Sequence, residues 1–407
     1  MDIKDFKRPE NDSGIGIHLF PHPYVTGDAM DTWIARLVAM KLKWTTMLNE
    51  DAASIAKFAV AGIQPVCRPF VRANEDWQDK GIVAEHMVAA GVGPYVQAYN
   101  EPELAVEWPG GTVDKMAYIY RWVFAAENIM HHGGYPGIQL LDPEWLRDLL
   151  NYVKSAGKEY LFEKVWFACH NYTSNHPTSY PYDALNPGKT IYDDWFAMLS
   201  PLKFAKVFRD TIGKDVPIIC CEGGYTIGDN ADSRYPAVTA ELHRDYTVAM
   251  FKMFQSGTLP NGEALPDWWF AVTPWLLASV AAGGDPSFEA NAWYSQWFGE
   301  RTLTIEAVKA IPEFVRQTGG TPVPEPTPTP VVTNPARWRV YDANGVQRGA
   351  FYDHANAVKQ AHGLKGYAIW IPGQDDRTGM IDFRDNGCAA QLTDAEAKIA
   401  KAREALA

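Results

Sequence analysis

Cysteine is scarce and odd in number: Cys67, Cys169, Cys220, Cys221 and Cys388 are the five in 407 residues. An odd count rules out a complete disulfide framework, and no C-x-x-C pair offers a zinc site. Four of the five lie inside apolar runs (QPVCRPF, VWFACHNY, PIICCEGG). There a cysteine acts as a small hydrophobe, so free buried thiols are expected. Basic charge is also short. Thirty-seven Lys and Arg stand against 49 Asp and Glu, a formal charge of −12. Such a balance argues against binding to nucleic acid or to an anionic membrane surface. No apolar run approaches the ~20 residues needed to span a bilayer. The opening MDIKDFKRPENDSG has no apolar signal-peptide core.

Aromatic residues are plentiful: 15 Trp, 19 Tyr and 18 Phe. Most must fill a core, but Trp and Tyr also offer flat apolar faces with a polar edge, which suit sugar rings. One boundary is plain. Residues 319–335 read GGTPVPEPTPTPVVTNP, an extended, semi-rigid linker unable to form helix or sheet. It divides a body, residues 1–318, from a tail, residues 336–407. The tail reads as a small α+β module. Asn344-Gly345 between alternating runs predicts a hairpin. A helix over 354–362, a strand at GYAIWI, and a helix opened by a Thr393…Glu396 capping box should follow.

The body repeats one unit eight times: a short apolar run, then a stretch with helical periodicity. The runs are GIGIHLFPH (14–22), LKWTTMLN (42–49), IQPVCRPFVR (63–72), YVQAYNEPE (95–103), GIQLLDPEW (137–145), KVWFACHNYT (164–173), PIICCEGGY (217–225) and DWWFAVTPW (267–275). After the first run, Trp33, Leu37 and Met40 share one helical face. After the second, a helix should stop at Gly62. Eight strands alternating with helices at about 40 residues per unit predict an α/β fold, a (β/α)₈ TIM barrel. An open doubly wound sheet is the runner-up, weakened because no glycine-rich phosphate loop follows any run.

In such a barrel the chemistry collects at the C-terminal ends of the strands. Run 4 ends Asn100-Glu101-Pro102 and run 7 ends Glu222-Gly223-Gly224. Each places a carboxylate directly after an apolar strand, where burial is expensive unless the group is used or paired. Strands 4 and 7 face each other across a barrel. Two opposed carboxylates are what glycosidic cleavage needs, one to protonate the leaving oxygen and one to attack or to activate water. Asp142 and Glu144 at the end of run 5 are rival carboxylates. Arg68 could pair with a catalytic carboxylate, and His18 and His22 could line a sugar subsite. His131-His132 should cap a helix end rather than bind metal.

On these residues the body, about 14–318, resembles the clan A glycoside hydrolases, retaining (β/α)₈ enzymes. Asn100-Glu101-Pro102 looks like their strand-4 acid/base motif, and Glu222 like their strand-7 nucleophile. His170-Asn171-Tyr172 is similar to a His-x-Tyr found in several member families, in which the tyrosine touches the nucleophile. Trp275 matches the tryptophan that floors the catalytic subsite. The resemblance implies catalytic Glu101 and Glu222, with Asn100, His170, Tyr172, Trp275, Arg68 and His22 around the substrate, and neither metal nor cofactor. It implies retaining, double-displacement cleavage inside a β-linked glycan, and a tail that binds glycan or a cell surface. The linker and module resemble the build of secreted polysaccharide-degrading enzymes, implying an extracellular location, with a cytoplasmic one as the alternative. Two other readings compete: a metal-dependent barrel hydrolase, and a non-catalytic sugar-binding or attachment protein on a retired barrel.

Overall fold

Eight parallel strands run in sequence order around the first part of the chain: β1 Gly16–His18, β2 Trp44–Met47, β3 Gln64–Cys67, β4 Tyr95–Ala98, β5 Tyr135–Gln139, β6 Trp166–Tyr172, β7 Ile218–Gly224 and β8 Trp269–Val272. A bridge between Ile15 and Val272 joins the last strand to the first and closes the barrel. The computed structural model describes residues 1–317, 337–341, 344, 347–351, 367–371 and 380–382. The chain divides into two compact units, Met1–Val323 and Pro324–Ala407.

Helices follow the strands: α1 Asp31–Ala39, α2 Ala52–Val60, α3 Val83–Ala89, α4 Lys115–His131, α5 Pro143–Ser155, α6 Ser200–Ile212, α7 Ala240–Ser256 and α8 Thr302–Lys309. Trp33, Leu37 and Met40 are buried, as their spacing predicts. The chain leaves α2 through Gly62 at φ +68°, a left-handed turn that glycine adopts without strain. Of the two carboxylates after β5, Asp142 accepts the Glu144 N–H and caps α5, while Glu144 pairs with Arg147. His132 at the end of α4 pairs with Asp79 and Glu85. Cys67, Cys169, Cys220 and Cys221 are free and buried, as expected; Cys388 lies outside the described residues.

Strand alternation sorts the side chains into two layers. Phe167, Cys169, Ile218 and Cys220 face the helices. Trp44, Val66, Tyr95, Trp166, Ala168, Ile219, Cys221 and Phe270 face each other inside the barrel, with Phe6 packed beneath them. The large inner rings interlock: Tyr95 lies edge-on to Trp166 at 5.5 Å and tilted against Trp44 at 5.8 Å. Their polar edges are satisfied from below, Tyr95 donating to the Lys7 carbonyl and Trp44 to Asp12. Space for Trp166 comes from Gly137, where a Cβ would stand 2.6 Å from the indole. Truncating such a ring to alanine should cost about 3–5 kcal/mol. These rings make a solid barrel floor, while most of the other buried aromatics pack in the outer layer between strands and helices.

In the second unit β9 Arg337–Tyr341, β10 Gln347–Phe351, β11 Tyr367–Ile371 and β12 Met380–Asp382 form an antiparallel sheet in the order β10-β9-β11-β12. Asn344 lies between the paired β9 and β10, where a hairpin is predicted, and β11 falls on GYAIWI. The helices predicted over 354–362 and from Thr393 lie outside the described residues. Among the described residues no helix is long and apolar enough to cross a membrane.

Candidate active site

Glu222 owes its position to an irregularity in β7. Cys169 pairs with Cys220, but His170 pairs with Glu222, so β7 carries one extra residue at Cys221. Strict alternation would turn Glu222 away from the interior where Ile219 and Cys221 point. The bulge re-aims it, so Cys221 and Glu222 both face inward. Gly223, at φ +132°, must follow: a Cβ there would stand 2.7 Å from the Asn171 carbonyl oxygen.

β4 ends with equal irregularity. Tyr99 and Glu101 both have positive φ, 61° and 35°, rarely adopted by side-chain-bearing residues and therefore held there by their surroundings. The Glu101 N–H donates to the Gln139 side chain from β5. The Tyr99 ring packs outward between Trp77 and Tyr118. Asn100 and Glu101 are thereby left at the barrel mouth.

The two glutamates meet there. One oxygen of each carboxylate and Nδ1 of His170 lie within 4.8 Å of one another. Nδ1 of His170 is hydrogen-bonded to Glu101 Oε1 at 2.8 Å and is 3.7 Å from Glu222 Oε2. Tyr172 donates its hydroxyl to Glu222 Oε2 at 2.5 Å. The Arg68 guanidinium donates to Glu222 Oε1, and also to Asn100 Oδ1 at 2.6 Å. His18 Nε2 is 3.9 Å from Glu222 Oε1, and its ring packs on Trp275 at 4.4 Å.

This environment sets the charges. Burial alone would raise the Glu222 pKa, but His170, Arg68 and the Tyr172 hydroxyl outweigh it and hold the carboxyl well below its ordinary value. Glu222 is therefore ionised at neutral pH. Burial and the two nearby glutamates push the Tyr172 phenol well up, so it stays a donor. Burial keeps His18 neutral. For Arg68, burial opposes the charge, but Glu222 reverses the balance and the guanidinium pKa is raised.

The barrel thus brings together Glu101, Glu222, Asn100, His170, Tyr172, Arg68 and Trp275. Trp275 stands three residues past β8, 8% exposed, wedged between His18 and Phe288. Asn100 is more constrained than a free sugar-binding amide: Nδ2 donates to Glu107 at 3.2 Å while Oδ1 accepts from Arg68. His22 lies further out, stacked between Phe20 and Tyr24. Sequence reasoning missed Glu107 and Gln139. Glu107 ties Asn100 to Arg72, whose guanidinium lies 2.9 Å away. It ends a single 3₁₀ turn, Ala105–Glu107, too short for any periodicity to mark it. Gln139 did carry a signal, a lone amide in the apolar run GIQLL.

No protein-family model matches the chain, and no curated protein is similar to it in sequence. Distant likenesses exist among solved structures. The GH39 enzyme from Xanthomonas axonopodis pv. citri is 12% identical over 76% of this chain and 68% of its own, with a TM-score of 0.45. A GH128 (subgroup VII) oligosaccharide-binding protein from Trichoderma gamsii is 12% identical over 74% and 95%, with a TM-score of 0.40. A GH128 (subgroup II) endo-β-1,3-glucanase from Pseudomonas viridiflava is 13% identical over 74% and 98%, with a TM-score of 0.43. At such distance the chemistry has to be read from the site itself.

Proposed function

We propose that the protein is a retaining glycoside hydrolase acting within β-linked glycans. The observation that carries this reading is the closeness of two carboxylates from facing strands, with oxygens within 4.8 Å of each other. Retaining enzymes hold their carboxyls about 5–5.5 Å apart, whereas inverting enzymes leave about 6.5–9.5 Å for a water. Glu222, ionised and flanked by Arg68 and Tyr172, attacks the anomeric carbon. Glu101 protonates the departing oxygen. The same group then takes a proton from the water that releases the sugar from Glu222. His170, hydrogen-bonded to Glu101, orients that carboxyl between the two steps. Tyr172 steadies the Glu222 oxygen that does not bond to carbon.

The chemistry belongs to the first unit, and the second is assigned a glycan- or surface-binding role. A chain ending at Val323 should keep turnover on soluble substrate. The reading is tested by incubating the full chain with β-1,3-glucan, β-1,4-glucan, β-mannan, β-xylan and β-galactan and measuring reducing ends. It requires release from at least one that Glu222→Gln abolishes. Inertness toward all of them would defeat it.

One observation favours a second reading. Glu101, His170 and Glu222 form the only three-membered group among the described residues able to hold a metal ion. The Arg68 cation on Glu222 opposes that use, because it already supplies the compensating charge. Dialysis against a chelator should leave turnover unchanged. Loss restored by zinc or manganese would favour metal-assisted hydrolysis instead.

A further inference from the structure

Beyond β1 every second residue is aromatic: Phe20, His22 and Tyr24. Their rings form a parallel ladder, Phe20 to His22 at 5.8 Å and 15°, His22 to Tyr24 at 4.9 Å and 18°. Exposure climbs along it from 2% to 7% to 77%. The inner rungs are fixed. Phe20 meets Trp33 edge-on at 5.1 Å, and the Tyr24 N–H donates to His22 Nδ1 at 3.1 Å. The neighbouring loop makes room at Gly284, where a Cβ would lie 2.8 Å from His22 Cδ2. Tyr24 is therefore a flat ring braced from behind, with its other face open to water.

The ladder grows out of the candidate active site. His18, two residues before Phe20, touches Trp275 and lies 3.9 Å from the Glu222 carboxylate. Six residues of extended chain reach at most ~20 Å, the span of a few sugar rings. A braced aromatic face suits the apolar face of a pyranose and needs no induced ordering on binding.

We propose that Tyr24 is the stacking platform of a distal sugar subsite, so that a glycan crosses the β1 side of the barrel mouth and is cut within its length. This rests on the glycosidase reading. His22 then serves as the brace behind the platform rather than as a catalytic ligand.

The test compares hexasaccharides with disaccharides of the five glycan types named above, using wild type, Tyr24→Ala and Tyr24→Phe. The ratio of kcat/KM for hexasaccharide over disaccharide should fall about tenfold in Tyr24→Ala and be kept in Tyr24→Phe, as expected for a lost stacking contact. Affinity electrophoresis in gels containing the same polysaccharides separates the two readings. Wild-type retardation that Tyr24→Ala weakens, without turnover by either, would sustain the platform and defeat the glycosidase. Turnover with an unchanged ratio in Tyr24→Ala would overturn the platform alone. Neither turnover nor retardation would overturn both. At 77% exposure Tyr24 contributes little to folding, so these outcomes are not confounded by stability.

Discussion

Arg68 and Glu222 form an ion pair between the β3 and β7 ends of the barrel with both side chains buried. A buried carboxylate stripped of its cation is strongly unfavourable, so Arg68→Met should lower stability at pH 7 by about 3–5 kcal/mol. The pH dependence follows from the direction of the Glu222 shift. In the intact protein its pKa is depressed, so its contribution to stability is full above the unfolded value and is lost as pH falls through the folded one. Without Arg68 the folded pKa rises from its depressed value, so the deficit shrinks as pH falls and the carboxyl takes a proton. Urea unfolding should therefore show a smaller gap between variant and wild type at pH 4 than at pH 7. An equal gap would mean that the pair does not control Glu222.

Tyr172 acts on the same carboxylate from β6. Tyr172→Phe removes a donor to the ionised form, so the Glu222 pKa should rise. A hydrogen bond to a charged group contributes about 1.5–3 kcal/mol, so the acidic limb of the kcat/KM profile should move up by about one to two pH units. A uniform loss with an unmoved limb would assign Tyr172 to packing instead.

The two glutamates should fail differently. Glu222→Ala should lower kcat by at least roughly 10³-fold, and azide should restore turnover with an inverted glycosyl azide as product. Glu101→Ala should be mild for substrates with acidic phenol leaving groups and severe for sugar leaving groups, because only the latter require a proton. Equal damage across leaving groups would remove Glu101 as the acid.

Glu107 hydrogen-bonds both Asn100 and Arg72. Asn100→Ala and Glu107→Gln should each reduce kcat/KM by about tenfold, and the double variant should lose less than the product of the two, as residues in one network do. Full additivity would separate them.

The eight strands were legible because each is a short apolar run cut off by polar residues, and the helices because their apolar spacing is regular. The site residues were legible where a charge ended such a run, as at Glu101 and Glu222. What aims them was not. Alternation counts Glu222 outward, and only the extra residue at Cys221 turns it in. The left-handed Tyr99 and Glu101 likewise depend on packing against Trp77 and Tyr118 and on Gln139, contacts made by distant parts of the chain. Glu107 ends a single 3₁₀ turn, Ala105–Glu107, which is too short to show a periodicity, so its local tie to Asn100 left no mark in the sequence pattern.

The central claim is that Glu222 attacks the anomeric carbon directly. Proton NMR of the first-formed product from whichever β-glycan is cleaved tests it most directly. Attack by Glu222 followed by water requires the β-anomer to appear first and then mutarotate. First appearance of the α-anomer would show a single displacement by water and would contradict the assignment of Glu222 as nucleophile.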